Sequence, residues 1–180
     1  LPAGRAIGLG VSAANKLKEL GVPKLVEVCQ RLLAASDAHL VLIGSGGDSP
    51  LAQAIAHQVN SPRLIDASGR FQLDELPALL QRLDAYVGVD SGITYLADTV
   101  HTPIVTVVGP TDPREQRALG QRVIRIAPVD LPCYPCAFVF ATPSRCHTGT
   151  RACIESISAQ QIADAALSLL DADADRKAPV

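Results

Sequence analysis

The chain has no methionine, no tryptophan and only 3% aromatic residues. Its core must therefore come from leucine, valine, isoleucine and alanine, a balance that suits helices packed on a parallel sheet. An excess of either charge is also missing. A formal charge of −2 provides no basic face of the kind that general nucleic-acid binding requires. No apolar run approaches the roughly twenty residues of a membrane span, and no signal peptide is visible; contact with a membrane surface through a separate segment stays open. What is present is ample for folding: 48% apolar and 19% charged residues are the proportions of a globular chain rather than a disordered one. At 180 residues there is length for one large domain. The lack of any methionine and the start at Leu1-Pro2-Ala3-Gly4 read as a piece of a longer protein, with the missing part expected on the amino-terminal side.

Apolar periodicity alternates between the two regular spacings. Arg5–Val11 predicts a strand and Leu20–Ala35 a helix with Leu25, Val28, Cys29, Leu32 and Leu33 on one face. His39–Ile43 is a second strand. A helix to about Val59 follows, capped by Asp48 or Ser49 with Pro50 at its first position. Leu64–Asp66 is a short strand, Leu73–Arg82 a helix, Tyr86–Val89 a strand, Ile93–Val100 a short helix and Ile104–Val108 a strand. Arg122–Ile126 is the last strand. Residues 128–153 read as irregular and cysteine-rich. Ser158 with Gln161 forms a capping box for a final helix over 158–171, with Ile162, Ala165, Ala166 and Leu169 inward, before a charged, frayed tail at 171–180. Strands alternating with helices give an α/β fold with a parallel sheet and right-handed crossovers.

Two turns stand out. Strand 86–89 runs into Asp90-Ser91-Gly92, and strand 104–108 into Gly109-Pro110-Thr111-Asp112-Pro113. In an open parallel sheet such turns lie side by side at the carboxyl ends of the strands, where these folds bind ligands. The first also opens a helix, whose free N–H groups and positive dipole end suit a phosphate. The glycine cluster at 44–47 follows a strand, but it does not fit G-x-G-x-x-G and lacks the acidic residue expected about twenty positions on. A nicotinamide-dependent enzyme is thereby disfavoured.

Several segments in order resemble one family: Gly10-Val11-Ser12 followed by Lys16, LVLIGSGGD at 40–48, ASGRFQLDELPALLQRLDAYVGVDSG at 67–92, GPTDP at 109–113, CYPC with two later cysteines over 133–153, and CIESISAQQIADAAL at 153–167. Together they are similar to glycosyltransferase family 9, the lipopolysaccharide heptosyltransferases and their relatives. The resemblance implies a Rossmann-like parallel sheet flanked by helices over residues 1–180, the carboxyl-terminal, nucleotide-sugar-binding half of a GT-B enzyme. The acceptor domain would be the absent amino-terminal half, and that half would carry the catalytic base. Implied too are inverting transfer of a heptose or similar sugar from a nucleotide diphosphate sugar, ADP-heptose first, to lipopolysaccharide or a related glycan. No cofactor would be required, and the enzyme would work in the cytoplasm, peripherally at the inner membrane. The family pattern at this turn is Asp-Thr/Ser-Gly, two residues, then histidine; here Asp90-Ser91-Gly92 and Ile93-Thr94 are followed by Tyr95, a departure that points to a different donor or weakened activity. A non-catalytic nucleotide- or glycan-binding module of the same fold is the rival expectation.

The donor-binding candidates are Ser12, Lys16, Asp90, Ser91, Gly92, Tyr95, Gly109 and Thr111. Ser91 and Gly92 would offer backbone N–H groups and a hydroxyl to the diphosphate, whereas Asp90 is better suited to fixing its loop or meeting sugar hydroxyls than to acting as a base. Lys16 would place a point charge on the leaving diphosphate, with Lys18 as the fallback. Ser12 either meets the same phosphate or merely ends a strand. Asp48 caps a helix or meets a ribose. Gly109, Thr111 and Asp112 would shape the second wall, Pro110 and Pro113 stiffening it. Cys133, Cys136, Cys146 and Cys153 leave two readings open: a structural zinc site, or packed reduced thiols, since a cytosolic enzyme should not carry structural disulfides. Cys29 reads as core packing.

Overall fold

The computed structural model describes residues 1–177. Six strands, β1 (Ala6–Gly10), β2 (His39–Ile43), β3 (Leu64–Asp66), β4 (Ala85–Val89), β5 (Ile104–Val107) and β6 (Val123–Ile126), form one parallel sheet in the order β3-β2-β1-β4-β5-β6. Six helices accompany them among the described residues: α1 (Val22–Ala35), α2 (Ser49–Val59), α3 (Leu76–Leu80), α4 (Gly92–Thr99), α5 (Ala152–Glu155) and α6 (Ala159–Lys177). The sheet is covered on both faces, and the period-2 alternation of each strand divides its side chains between them. Leu40 and Leu42 join Ile7, Leu9, Val105 and Val107 beneath α1, α2 and α6. Val41 and Ile43 join Tyr86 and Ile104 beneath α3 and α4.

This strand order places the switch point between β1 and β4, whose chains leave the sheet toward opposite sides. Ligands of open α/β sheets bind in the crevice outside the strand ends there. Here that crevice is framed by the loop after β1, the turn after β2 and the start of α4.

Several boundaries differ from the sequence expectation. α1 begins at Val22 rather than Leu20, because Gly21 holds φ +81 ahead of Pro23. The helix expected over Leu73–Arg82 is confined to Leu76–Leu80: Glu75 accepts from the Gln72 N–H at 2.7 Å, closing a turn that leaves Leu73 72% exposed. Asp48 occupies the position before α2 but gives that helix no side-chain cap, its carboxylate turning back to the Ser45 N–H instead, and Pro50 sits one place further in than expected. The irregular segment ends in α5, so residues 152–155 are helical. The capping box forms as expected, Ser158 N–H donating to Gln161 at 2.8 Å and Gln161 N–H to Ser158 at 3.1 Å. The frayed tail is the largest difference. α6 continues to Lys177, and only residues 178–180 of that expectation lie outside the described residues. Ile162, Ala166 and Leu169 of α6 are buried as expected, Ala165 is half-buried against the same core, and Ala163 is buried as well.

Candidate functional site

β1 delivers Ser12, Ala13 and Ala14 to the crevice, β2 delivers Ser45 and Asp48, and β4 delivers Ser91, Gly92 and Ile93. With Leu73 and Leu96 they line a cavity of about 550 Å³. Beside it lies a smaller cavity of about 360 Å³, whose walls include Asn15, Lys18, Asp90, Tyr95, Gln116 and Thr142. Ala13, Ala14, Ser91 and Gly92 border both, so the two are halves of one cleft with the α4 start as the ridge between them. A further cavity of about 530 Å³, around Asp98, His101 and Gln121, opens at the opposite end of the sheet.

Asp90 is buried and ties three loops together. Its Oδ2 accepts from Lys18 Nζ at 2.5 Å and from Thr111 Oγ1 at 2.9 Å, and its Oδ1 accepts from the Tyr95 hydroxyl. Burial first, then the carboxylate as hydrogen-bond partner and charge, pushes the Tyr95 phenol above its ordinary range. Both Asp90 oxygens are therefore engaged. A carboxylate so occupied anchors, and has little freedom to take a proton from an incoming hydroxyl.

The two lysines diverge. Lys16 and Lys18 share the 3-10 turn Lys16–Lys18, where positions two apart point well away from each other. Lys18 turns inward to Asp90, its side chain 11% exposed; Lys16 turns outward, 70% exposed, paired with Glu19 at 2.7 Å. The Glu19 hydrogen bond raises its ammonium pKa. Lys16 lines neither half of the cleft as it stands.

Ser12 lies on the cavity wall with Asp48, whose carboxylate accepts from Ser45 N–H at 2.8 Å and Ser45 Oγ at 2.7 Å. Burial opposes ionisation of Asp48, but these donors outweigh it and its pKa falls. Gly109 and Thr111 sit behind the cleft rather than on its walls. Gly109 holds φ +60 and an added Cβ would lie 2.8 Å from Ile154, so the turn needs glycine there. Thr111 is fully buried against Asp90. Asp112 is held below the ordinary carboxylate range by the Arg114 side chain, bonded at 2.6 Å.

Sequence reasoning passed over Leu73, Leu96, Gln116 and Thr142, none of which belongs to a motif. It also passed over Tyr86, which the alternation of β4 marks only as buried. The cysteines are all free thiols. Burial raises the Cys29 pKa to about 12, and raises those of Cys136 and Cys153, which neighbouring thiols raise further. Cys146 is lowered to about 7 by the Thr148 hydroxyl and then the Arg151 N–H. Among the described residues no three or more His, Cys, Asp or Glu side chains converge as a metal-holding group. No helix there is long and apolar enough to cross a membrane.

The sequence model of Glycosyltransferase family 9 (heptosyltransferase) matches residues 14–140. Lipopolysaccharide heptosyltransferase 3 of Escherichia coli is 31% identical over 75 residues, 40% of this chain and 22% of that protein. Among solved structures, the E. coli ADP-heptose lps heptosyltransferase II superposes with a TM-score of 0.79 at 22% identity, over 97% of this chain and 49% of that one. E. coli heptosyltransferase WaaC with ADP-2-deoxy-2-fluoro heptose superposes with a TM-score of 0.65 at 18% identity, over 91% and 44%. The chain thus spans about half the length of the solved structures it matches.

Proposed function

This chain belongs to glycosyltransferase family 9, and on that premise we propose that it is the donor-binding half of an enzyme that moves a heptose or similar sugar from a nucleotide diphosphate sugar to lipopolysaccharide or a related glycan. The observation that carries this reading is the cleft at the β1–β4 switch point, with the α4 start between its halves. The diphosphate lies over Ser91 and Gly92, where N–H groups and the helix dipole favour an anion. The larger, more apolar half takes the nucleoside and the smaller, polar half the sugar. ADP-heptose is the favoured donor, since a fluorinated form of it accompanies one solved neighbour.

In the transfer, the acceptor hydroxyl oxygen attacks the anomeric carbon as the bond to the diphosphate breaks, inverting that centre. Negative charge grows on the departing diphosphate. Lys16, exposed and bound only at the surface by Glu19, is the cation free to swing onto it. Ser12 adds a hydroxyl at the same edge. Asp90, Thr111 and Gly109 hold the loops that carry these groups. The proton goes to a base in the other half of the protein, because Asp90 is fully engaged. A lipid-anchored acceptor would bring the enzyme to the cytoplasmic face of the inner membrane.

Titration with ADP tests the lysine assignment. Lys16→Ala should weaken binding by about 1–3 kcal/mol, the range for a hydrogen bond to a charged group, with the melting temperature unmoved. Unchanged affinity there, with loss in Lys18→Ala, shifts the assignment two residues along. A thermal-shift panel of ADP-, UDP-, GDP- and CDP-sugars identifies the nucleotide, because a ligand at 100 times its Kd adds about 2.7 kcal/mol.

Tyr95 favours attention to a second reading, a binding module without turnover, since its hydroxyl is committed to Asp90 in the sugar half of the cleft. Tyr95→His in the full-length protein should raise activity with ADP-heptose relative to other donors. An unchanged donor profile makes Tyr95 a packing residue, and binding without turnover by the full-length protein supports the module. The cysteines at 133, 136, 146 and 153 we take as reduced thiols that pack the irregular segment. Stoichiometric zinc in protein purified without added metal would replace that assignment.

A further inference from the structure

Gln116 stands on the wall of the smaller half of the cleft, with Asn15, Lys18, Asp90, Tyr95 and Thr142. It belongs to the turn that continues the glycine-proline segment after β5. The Glu115 and Gln116 N–H groups both donate to the Asp112 carbonyl at 3.1 Å, and the Asp112 N–H donates to the Ala137 carbonyl at 3.0 Å. The two neighbours then part. Glu115 Oε2 accepts from the Val139 N–H at 2.9 Å and so holds the irregular segment. Gln116 borders the cleft.

The other polar side chains of that wall are already engaged. Asn15 accepts from the Leu17 N–H at 2.9 Å and donates to the Pro143 carbonyl at 3.2 Å. Lys18 and Tyr95 are bound to Asp90. Thr142 Oγ1 donates to the Phe138 carbonyl at 2.6 Å, and the Ser91 and Thr94 hydroxyls share a long bond of 3.4 Å. Among the described residues, Gln116 is the member of this wall whose polar side chain has no hydrogen bond to the protein. The charges of the wall also offset one another, Lys18 against Asp90. A ligand in this half of the cleft therefore meets a neutral surface with one unpaired amide.

Such an amide offers two N–H donors and a carbonyl acceptor in one plane, and each hydroxyl of a sugar both donates and accepts. Two adjacent hydroxyls can take the N–H and the C=O of one amide at once. We infer that Gln116 reads the transferred sugar: its amide binds an adjacent pair of hydroxyls on the sugar of the donor and so sets which sugars the cleft accepts. This rests on the donor-half reading, which puts the sugar in that half of the cleft. The Asp112 carbonyl fixes the backbone that carries the amide, so binding costs only side-chain freedom.

Titrations of the 180-residue chain with ADP and with ADP-heptose separate the sugar from the nucleotide. Gln116→Ala should weaken ADP-heptose by about two- to tenfold, the equilibrium worth of a neutral hydrogen bond, and leave ADP unchanged. Gln116→Met keeps the length of the side chain without its amide, and should show the same selective loss. In the parent, the side-chain N–H resonances of Gln116 should shift on addition of ADP-heptose and stay still with ADP. Equal losses for the two ligands, or no loss for either while ADP still binds, overturn the sugar-reading role and leave the donor-half reading intact. Gln116→Met that binds ADP-heptose as the parent does, or side-chain resonances that ignore ADP-heptose, overturn it as well. A parent that binds neither ligand defeats the donor-half reading, and the role of Gln116 falls with it.

Discussion

Asp90→Ala should destabilise the chain by about 3–5 kcal/mol, the cost of leaving the partner of a buried ion pair uncompensated. Lys18 is 11% exposed on its side chain and, among the described residues, forms its ion pair with Asp90 alone; the Tyr95 and Thr111 hydroxyls lose their acceptor at the same time. Lys18→Met should be milder, because Asp90 would keep both hydroxyl donors. The order Asp90→Ala worse than Lys18→Met distinguishes a three-way anchor from a simple pair. Denaturant unfolding reads it as a fall in midpoint with an unchanged slope. Losses under 1 kcal/mol in both variants would mean that the loops after β1, β4 and β5 are held by other contacts.

The second large effect concerns rate. The 180-residue chain should bind its donor and transfer no sugar. An acceptor hydroxyl has a pKa far above 7, and a positioned base is typically worth a factor of about 10²–10⁴. Alignment of acceptor with donor adds more, through the entropy of joining two reactants. Among the described residues, the two aspartates of the cleft walls are committed, Asp90 to its three donors and Asp48 to Ser45, and Asp112 behind them is committed to Arg114. Sugar transfer is followed over many hours with donor and acceptor present. Turnover that disappears in Asp90→Asn would place the base in this half.

Much of the sheet was legible because buried parallel strands are apolar throughout and end at small or polar turns. His39–Ile43 and Leu64–Asp66 have the same limits in the structure as in the sequence. The short helix after residue 73 was not, since Leu73 fits the helical period while a Gln72–Glu75 turn takes its place outside the helix. At the site, the turns at 90–92 and 109–113 declared themselves through glycine and proline. The separate fates of Lys16 and Lys18 did not. They depend on a 3-10 turn and on a carboxylate 72 residues away, and no local pattern encodes either. Thr111 shows the same limit: a polar residue in a glycine turn suits ligand contact, yet its partner is the buried Asp90. Tyr86 owes its position to Gly8 and Gly10 on another strand, a pairing fixed only when the chain crosses over.

On the proposed function, a nucleotide diphosphate sits over the start of α4 at the β1–β4 switch point. Backbone amide chemical shifts of the labelled chain, followed while ADP is added, test it directly. Saturable shifts are expected at Ser12, Ser45, Ser91, Gly92 and Ile93, with none around Asp98, His101 and Gln121. Shifts confined to that second group, at the far end of the sheet, would contradict it.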